Sequence, residues 1–90
     1  MKADAKKKVL RRLSLIQGQI GGLIKMVDDE RYCVEIITQS SAIKEALSGV
    51  EDLMLENHLA THVVEQMRSG RSKKAVEEIV KVYKLAQKKK

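Results

Sequence analysis

The sequence is poor in several residue types, and its shortage of cysteine and of long apolar runs argues against whole classes of protein. It has no proline, tryptophan or phenylalanine, and it has one cysteine and two tyrosines. A single cysteine cannot form an internal disulfide, which argues against a disulfide-rich secreted protein and predicts a cytoplasmic one. No apolar run approaches the roughly 20 residues of a membrane span. No segment combines a lysine face with a large exposed aromatic face, so no membrane partner is expected.

The length allows one domain, predicted to cover residues 1–90. Hydrophobic residues make up 43% of the chain, which is too many for a fully disordered protein. So short a chain has few residues to spare for the walls of a catalytic pocket, and no paired general acid and nucleophile is visible. We therefore expect neither an enzyme nor a small-molecule substrate.

Charge is distributed unevenly around the formal net value of +6. Residues 1–25 carry a net charge of +6, residues 26–65 carry −7 and residues 66–90 carry +7. Two basic ends around an acidic middle favour a polyanionic partner such as nucleic acid. The alternative is that the basic ends only keep a small protein in solution.

The first apolar pattern predicts an amphipathic helix. Its members are Val9, Leu10, Leu13, Ile16, Ile20, Leu23, Ile24 and Val27. Gly18, Gly21 and Gly22 lie inside it, and because glycine disfavours helix we expect something to pack closely against them. The acidic run 28–30 is typical of the start of a second helix, where it would cap free N–H groups.

The second pattern predicts a long helix from about Tyr32 to Met67. Its apolar positions are Cys33, Ile36, Ile37, Ile43, Leu47, Val50, Leu53 and Met54. The segment 69–72 indicates a stop and a restart, with Gly70 in the left-handed conformation. A third helix carries Ala75, Val76, Ile79, Val80, Tyr83, Leu85 and Ala86, and residues 88–90 are expected to fray. With no strand pattern, the prediction is an all-α chain of three helices with one long central helix.

The length of the central helix predicts association. A helix of about 35 residues spans ~50 Å, roughly twice the diameter of so small a domain. Its apolar face must be covered along the whole length, and the first helix can cover only part of it. We therefore expect an antiparallel four-helix bundle built from two chains.

Cys33, His58 and His62 are the residues best suited to bind a soft or borderline metal ion. His58 and His62 are four residues apart, so both imidazoles lie on one helical face and can share an ion. Cys33 lies about 37 Å away along a continuous helix, so the three can meet only across an antiparallel dimer. The alternatives are that Cys33 is a small buried hydrophobe and that the histidines are solvated.

Four stretches of the chain resemble the CsoR/RcnR family of bacterial repressors. They are RRLSLIQGQI (11–20), RYCVEIITQ (31–39), AIKEAL (42–47) and ENHLATHVV (56–64). The resemblance implies a dimer of dimers, a homotetramer, that binds operator double-stranded DNA when metal-free. An inducer bound at the cysteine and histidine site would release the DNA.

The resemblance also implies a ligand set of Cys33, His58 and His62. Tyr32 and Glu78 stand where copper sensors of the family have a tyrosine and a glutamate that support the histidine ligand. One thiolate and two imidazoles suit Cu(I) well. Nickel and cobalt sensors share the Cys-His-His set but add an N-terminal histidine, which residues 1–8 lack. The expected inducer is Cu(I), with Ni(II), Co(II) or formaldehyde as alternatives.

Basic positions that the family uses on DNA are also present. The expected DNA-binding residues are Lys6, Lys7, Lys8, Arg11, Arg12 and Lys44. Leu15 and Gly21 stand where family members often carry basic residues, which leaves the operator footprint open. A more distant alternative is a copper-buffering helical protein without a role on DNA.

Overall fold

The computed structural model describes residues 1–87 and is helical almost throughout. The helices are α1 (Ala3–Asp28), α2 (Cys33–His58), α3 (Val64–Arg68) and α4 (Ser72–Gln87), with a π-helical turn at Leu59–Val63 between α2 and α3. No strand occurs within the described residues, so the prediction of an all-α chain is confirmed. The expected fraying at 88–90 lies outside the described residues.

The predicted long central helix is formed by α2, the π-helical turn and α3 together. His58, Val63 and Val64 all have right-handed helical dihedral angles, so the backbone passes through both junctions without a break. The sequence-based prediction therefore holds for the extent of the helix, and three long helical segments result. The π-helical turn was not predicted. Such turns are rare and are frequent at functional sites.

Gly70 ends the long helix as the sequence predicts. It has a φ of 78°, which lies in the left-handed region. Its N–H donates to the Met67 carbonyl at 3.3 Å, and the N–H of Arg71 donates to the Gln66 carbonyl at 2.7 Å. These two bonds form a Schellman motif, which satisfies carbonyls that the helix end would otherwise leave unpaired.

The acidic run 28–30 does not begin the second helix, and that prediction is wrong. Glu30 has a φ of 53° and ends α1 with the same motif. Its N–H donates to the Val27 carbonyl at 3.0 Å, and the Arg31 N–H donates to the Met26 carbonyl at 2.9 Å. The backbone hydrogen bonds of a C-terminal motif therefore outweigh the preference of acidic side chains for a helix start.

The described residues form two compact units, Met1–Leu55 and the part from Glu56 onward. In the first unit, α1 and α2 enclose a small core. Its members are Val9, Ile16, Ile43 and Val50, with Leu23, Ala46 and Leu53 packed against them. In the second unit, Ala75 of α4 is 1% exposed and Gln66 of α3 is 7% exposed. No helix within residues 1–87 has both the length and the apolar character that crossing a membrane requires.

Much of the apolar face predicted for α1 remains exposed in the single chain. Its exposed members are Leu10, Leu13, Ile20, Ile24 and Val27. Apart from the adjacent residues and the nearby backbone of α1 itself, no atom of the described chain lies within 4 Å of a Cβ built at Gly18, Gly21 or Gly22. Within the protomer, therefore, the expected close packing against these glycines does not occur. The predicted dimer would have to cover this face.

Replacing Gly70 with alanine should destabilise the protein by about 1 kcal/mol, because a Cβ disfavours the left-handed conformation. Glu30→Gly is the matched control, since it removes a Cβ from the corresponding position of α1 and should not destabilise. Urea unfolding at one fixed protein concentration would measure both changes. A Gly70→Ala variant as stable as the wild type would contradict the role given to Gly70.

Candidate metal centre

Two imidazole nitrogens face each other at the junction of α2 and the π-helical turn. The Nδ1 atoms of His58 and His62 are 3.1 Å apart, and the rings meet edge to face with centroids separated by 5.1 Å. Imidazole nitrogens are common metal ligands, and these two are close enough together to hold one ion between them. The spacing therefore fits two ligands of one metal ion.

Glu78 of α4 contacts the opposite side of the His58 ring. Its Oε2 lies 3.0 Å from the Nε2 of His58, and both side chains are partly buried. Because a carboxylate can only accept, the Nε2 of His58 donates the hydrogen bond. In the neutral imidazole this assigns the proton to Nε2 and leaves the Nδ1 lone pair directed at His62, where a metal would bind.

Gln66 is a member of the site that the sequence analysis did not identify. Its Nε2 donates to the same Glu78 Oε2 at 3.3 Å. A signal was present, because positions 58, 62 and 66 are spaced by four residues and share one helical face. The sequence does not show, however, that the side chain is buried against a carboxylate.

The surroundings of Glu78 favour its charged form and keep its pKa below the ordinary value of 4.5. The hydrogen bond from Gln66 is the largest cause, and partial desolvation opposes it. The hydrogen bond and the charge of His58 follow, and the Lys74 ammonium adds to them. A cleft of about 310 Å³ lies over this group and is bordered by Lys74 and Arg71.

Cys33 and Tyr32 belong to the other unit, at the start of α2. Cys33 is a free, exposed cysteine, and Tyr32 is 72% exposed. Within the described residues of this one chain, no group of three or more cysteine, histidine, aspartate or glutamate side chains could hold a metal ion. One chain thus brings together His58, His62 and Glu78, and the Cys33 thiol is not part of this group.

The predicted DNA-binding residues lie on α1 and α2 within the first unit, where all of them are exposed. Lys8, Arg11 and Arg12 border a cleft of about 590 Å³. The Nη1 of Arg12 lies only 2.8 Å from where a Cβ of Gly49 would be, so the guanidinium rests against the bare backbone of α2. Leu15, which replaces a basic residue of the family pattern, is 64% exposed.

The lowered pKa of Glu78 predicts how pH affects this site. The contribution of ionised Glu78 to stability should be fully present above pH ~4.5 and lost as the pH falls through the lower folded-state value. Carboxyl NMR titration of the metal-free protein would measure that pKa. In a Gln66→Met variant it should rise, because the largest stabilising hydrogen bond is removed. An unchanged pKa in that variant would contradict the assignment.

Known proteins are similar to this chain in both sequence and fold. The family described as metal-sensitive transcriptional repressor matches residues 5–84. The copper-sensing transcriptional repressor CsoR of Bacillus subtilis (strain 168) is 37% identical over 79 residues, which cover 88% of this chain and 78% of that protein. The transcriptional repressor RcnR of Salmonella paratyphi B is 35% identical over 77 residues, covering 86% of each chain.

A solved structure gives the same result. The crystal structure of the copper-sensing repressor CsoR with Cu(I) from Geobacillus thermodenitrificans NG80-2 superposes with a TM-score of 0.87. The sequences are 34% identical, and the match covers 97% of this chain and 91% of the other. Both the family match and the structural match extend over nearly the whole helical chain. The chain therefore belongs to the family of metal-sensitive transcriptional repressors.

Proposed function

We propose that this protein is a cytoplasmic, Cu(I)-responsive transcriptional repressor that binds operator DNA when metal-free and releases it when Cu(I) binds. The observation that carries the proposal is the pair of Nδ1 atoms 3.1 Å apart, supported by Glu78 on the far side of one ring. Membership of the metal-sensitive repressor family agrees with this site. Family members are regulators of transcription, which agrees with the expectation that the chain is not an enzyme.

The proposed ligands are Cys33 of one chain and His58 and His62 of a second chain. A thiolate with two imidazoles is a soft donor set that suits Cu(I), and an antiparallel dimer would form two such sites. The similarity to copper-sensing repressors favours the same metal. The similarity to RcnR keeps Ni(II) and Co(II) as the second candidates, although residues 1–8 offer no histidine.

The assembly that these sites need also explains the exposed apolar face of α1. A second chain packed on that face would remove its side chains from water, and each square ångström of apolar surface buried contributes ~25 cal/mol. We propose a four-helix-bundle dimer and a homotetramer made from two dimers. In such a dimer the predicted contact of Tyr32 with the histidine ligand could form between chains.

DNA binding is proposed to depend on the basic residues of α1 and on Lys44. Lys8, Arg11 and Arg12 are exposed together on α1. Lysine and arginine on an exposed helix bind phosphates regardless of sequence, so affinity should fall steeply with salt. The exposed Leu15 adds no charge, and specificity would have to come from DNA shape and deformability.

Induction requires two assembly shapes that differ in affinity for both ligands. Bound Cu(I) would supply bonds that hold Cys33 of one chain beside His58 and His62 of the other. His58 donates to Glu78 through Nε2, so a displacement of its ring is transmitted to α4. The coupling free energy between metal binding and DNA release would then depend on this hydrogen bond and on the packing of α3 on α4.

Fluorescence anisotropy with DNA from upstream of this gene tests the proposal. Under anaerobic conditions the metal-free protein should bind the DNA, and one Cu(I) per chain should weaken that binding by at least tenfold, a coupling of ~1.4 kcal/mol. The Cys33→Ala variant should bind the same DNA and remain bound in Cu(I), because it lacks the thiolate.

Three outcomes would change the proposal. Release of the Cys33→Ala variant by Cu(I) would contradict the ligand set. DNA binding that ignores Cu(I) but responds to Ni(II), Co(II) or formaldehyde would keep the repressor and change the inducer. Cu(I) binding without salt-dependent DNA binding would favour a copper-buffering protein.

The Gly49→Ala variant should weaken DNA binding because the added Cβ displaces the guanidinium of Arg12. We expect a loss in the same direction as that of Arg12→Ala, which should also reduce the salt slope by about 1. Cu(I) affinity should be unchanged in both variants. In an Arg12→Ala background, Gly49→Ala should have no further effect, and a further loss there would contradict the proposed contact.

A further inference from the structure

We propose that Gln66 is a positioning residue that holds Glu78 in place and thereby fixes the ring of His58 for metal binding. The inference rests on the proposed role of His58 as a ligand. It adds to the site a residue that is neither one of the proposed metal ligands nor the carboxylate that contacts His58.

One oxygen atom joins the three side chains. The Oε2 of Glu78 accepts from His58 at 3.0 Å and from Gln66 at 3.3 Å. His58 ends α2, Gln66 lies in α3 and Glu78 lies in α4, so the shared oxygen connects three helical segments of the second unit. With two donors on one acceptor, the carboxylate has little freedom to turn away from the imidazole.

The orientation of the Gln66 amide follows from the chemistry of its partner. A carboxylate accepts only, so the NH₂ group must face Glu78 and the amide oxygen must face away. The Gln66 Oε1 is buried and has no hydrogen-bond partner among the described residues. Turning the amide over would bring two oxygens together, so that orientation is excluded.

This arrangement is unfavourable as packing alone. Gln66 is 7% exposed, and burying an amide oxygen without a partner disfavours the folded state. Leucine or methionine would fill a similar volume with no polar atom to satisfy. Packing alone therefore does not account for an amide at this position. Its hydrogen bond to Glu78 does account for it.

The benefit to the site is a single ring state of His58 in the metal-free protein. A fixed Glu78 selects the ring form with hydrogen on Nε2, and the Nδ1 lone pair then points toward His62. Losing a partner that orients a ligand commonly lowers metal affinity 10- to 100-fold. Because Gln66 acts through Glu78, its removal should cost about tenfold, at the lower end of that range.

The test compares Gln66→Met, which keeps the length of the side chain and removes the donor, with wild type. Competition with the chelator bathocuproine disulfonate would measure Cu(I) affinity, and we expect it to fall about tenfold. Helicity and the affinity of the metal-free protein for DNA should not change. Gln17→Met, at an exposed position of α1, is the matched control and should leave Cu(I) affinity unaltered.

A double-mutant cycle separates positioning from a structural role. In a Glu78→Ala background, Gln66→Met should have no further effect on Cu(I) affinity, because the group through which it acts is absent. Fully additive losses would overturn the proposal. So would an unchanged Cu(I) affinity of Gln66→Met in the otherwise wild-type protein.

A measurement on the metal-free wild type needs no variant to fold. Long-range ¹H–¹⁵N NMR of the imidazoles should show His58 with hydrogen on Nε2, and in Gln66→Met the two ring forms should mix. Predominance of the Nδ1–H form in the wild type would overturn the proposal. If the wild type binds no Cu(I), the proposed function fails, yet this NMR result still decides the role of Gln66.

Discussion

The arrangement of the candidate site depends on the fact that a carboxylate accepts hydrogen bonds and cannot donate them. Once Glu78 Oε2 lies 3.0 Å from His58, the proton of the neutral imidazole is assigned to Nε2 and the lone pair to Nδ1. That lone pair points at the Nδ1 of His62, which lies 3.1 Å away, so the two nitrogens are placed to bind one metal ion. The same rule orients the amide of Gln66, so one chemical property determines the state of two side chains.

The helices could be predicted from the sequence because their signals are local. Apolar spacing located α1 and the long central helix, and Gly70 took the left-handed conformation that glycine adopts at low cost. The acidic run at 28–30 led to a wrong prediction. Acidic residues favour the start of a helix, but they are also tolerated at its end, where the backbone hydrogen bonds of a C-terminal motif determine the conformation. Glu30 accepts a left-handed conformation there, which the usual preference of acidic residues for a helix start does not anticipate.

The site was only partly predictable. His58 and His62 share a face by spacing alone, but the contact of Glu78 with His58 joins residues 20 positions apart and was expected only from the family resemblance. The role of Gln66 was not predicted because it depends on the burial of the side chain against Glu78, which residue spacing does not show. Neither unit contains the whole proposed donor set, since Cys33 belongs to a different unit from the histidines. The proposed site would therefore be completed by a second chain.

The π-helical turn at Leu59–Val63 has a consequence for the separation of the two imidazoles. A π turn contains one residue more than the α-helical geometry on either side, and one residue corresponds to about 100° around the axis. Were this segment to regain regular α-helical bonding, His62 and the residues after it would change angular register relative to His58. The angular position of His62 relative to His58, and with it the 3.1 Å distance between their Nδ1 atoms, therefore depends on the π-helical winding of this turn.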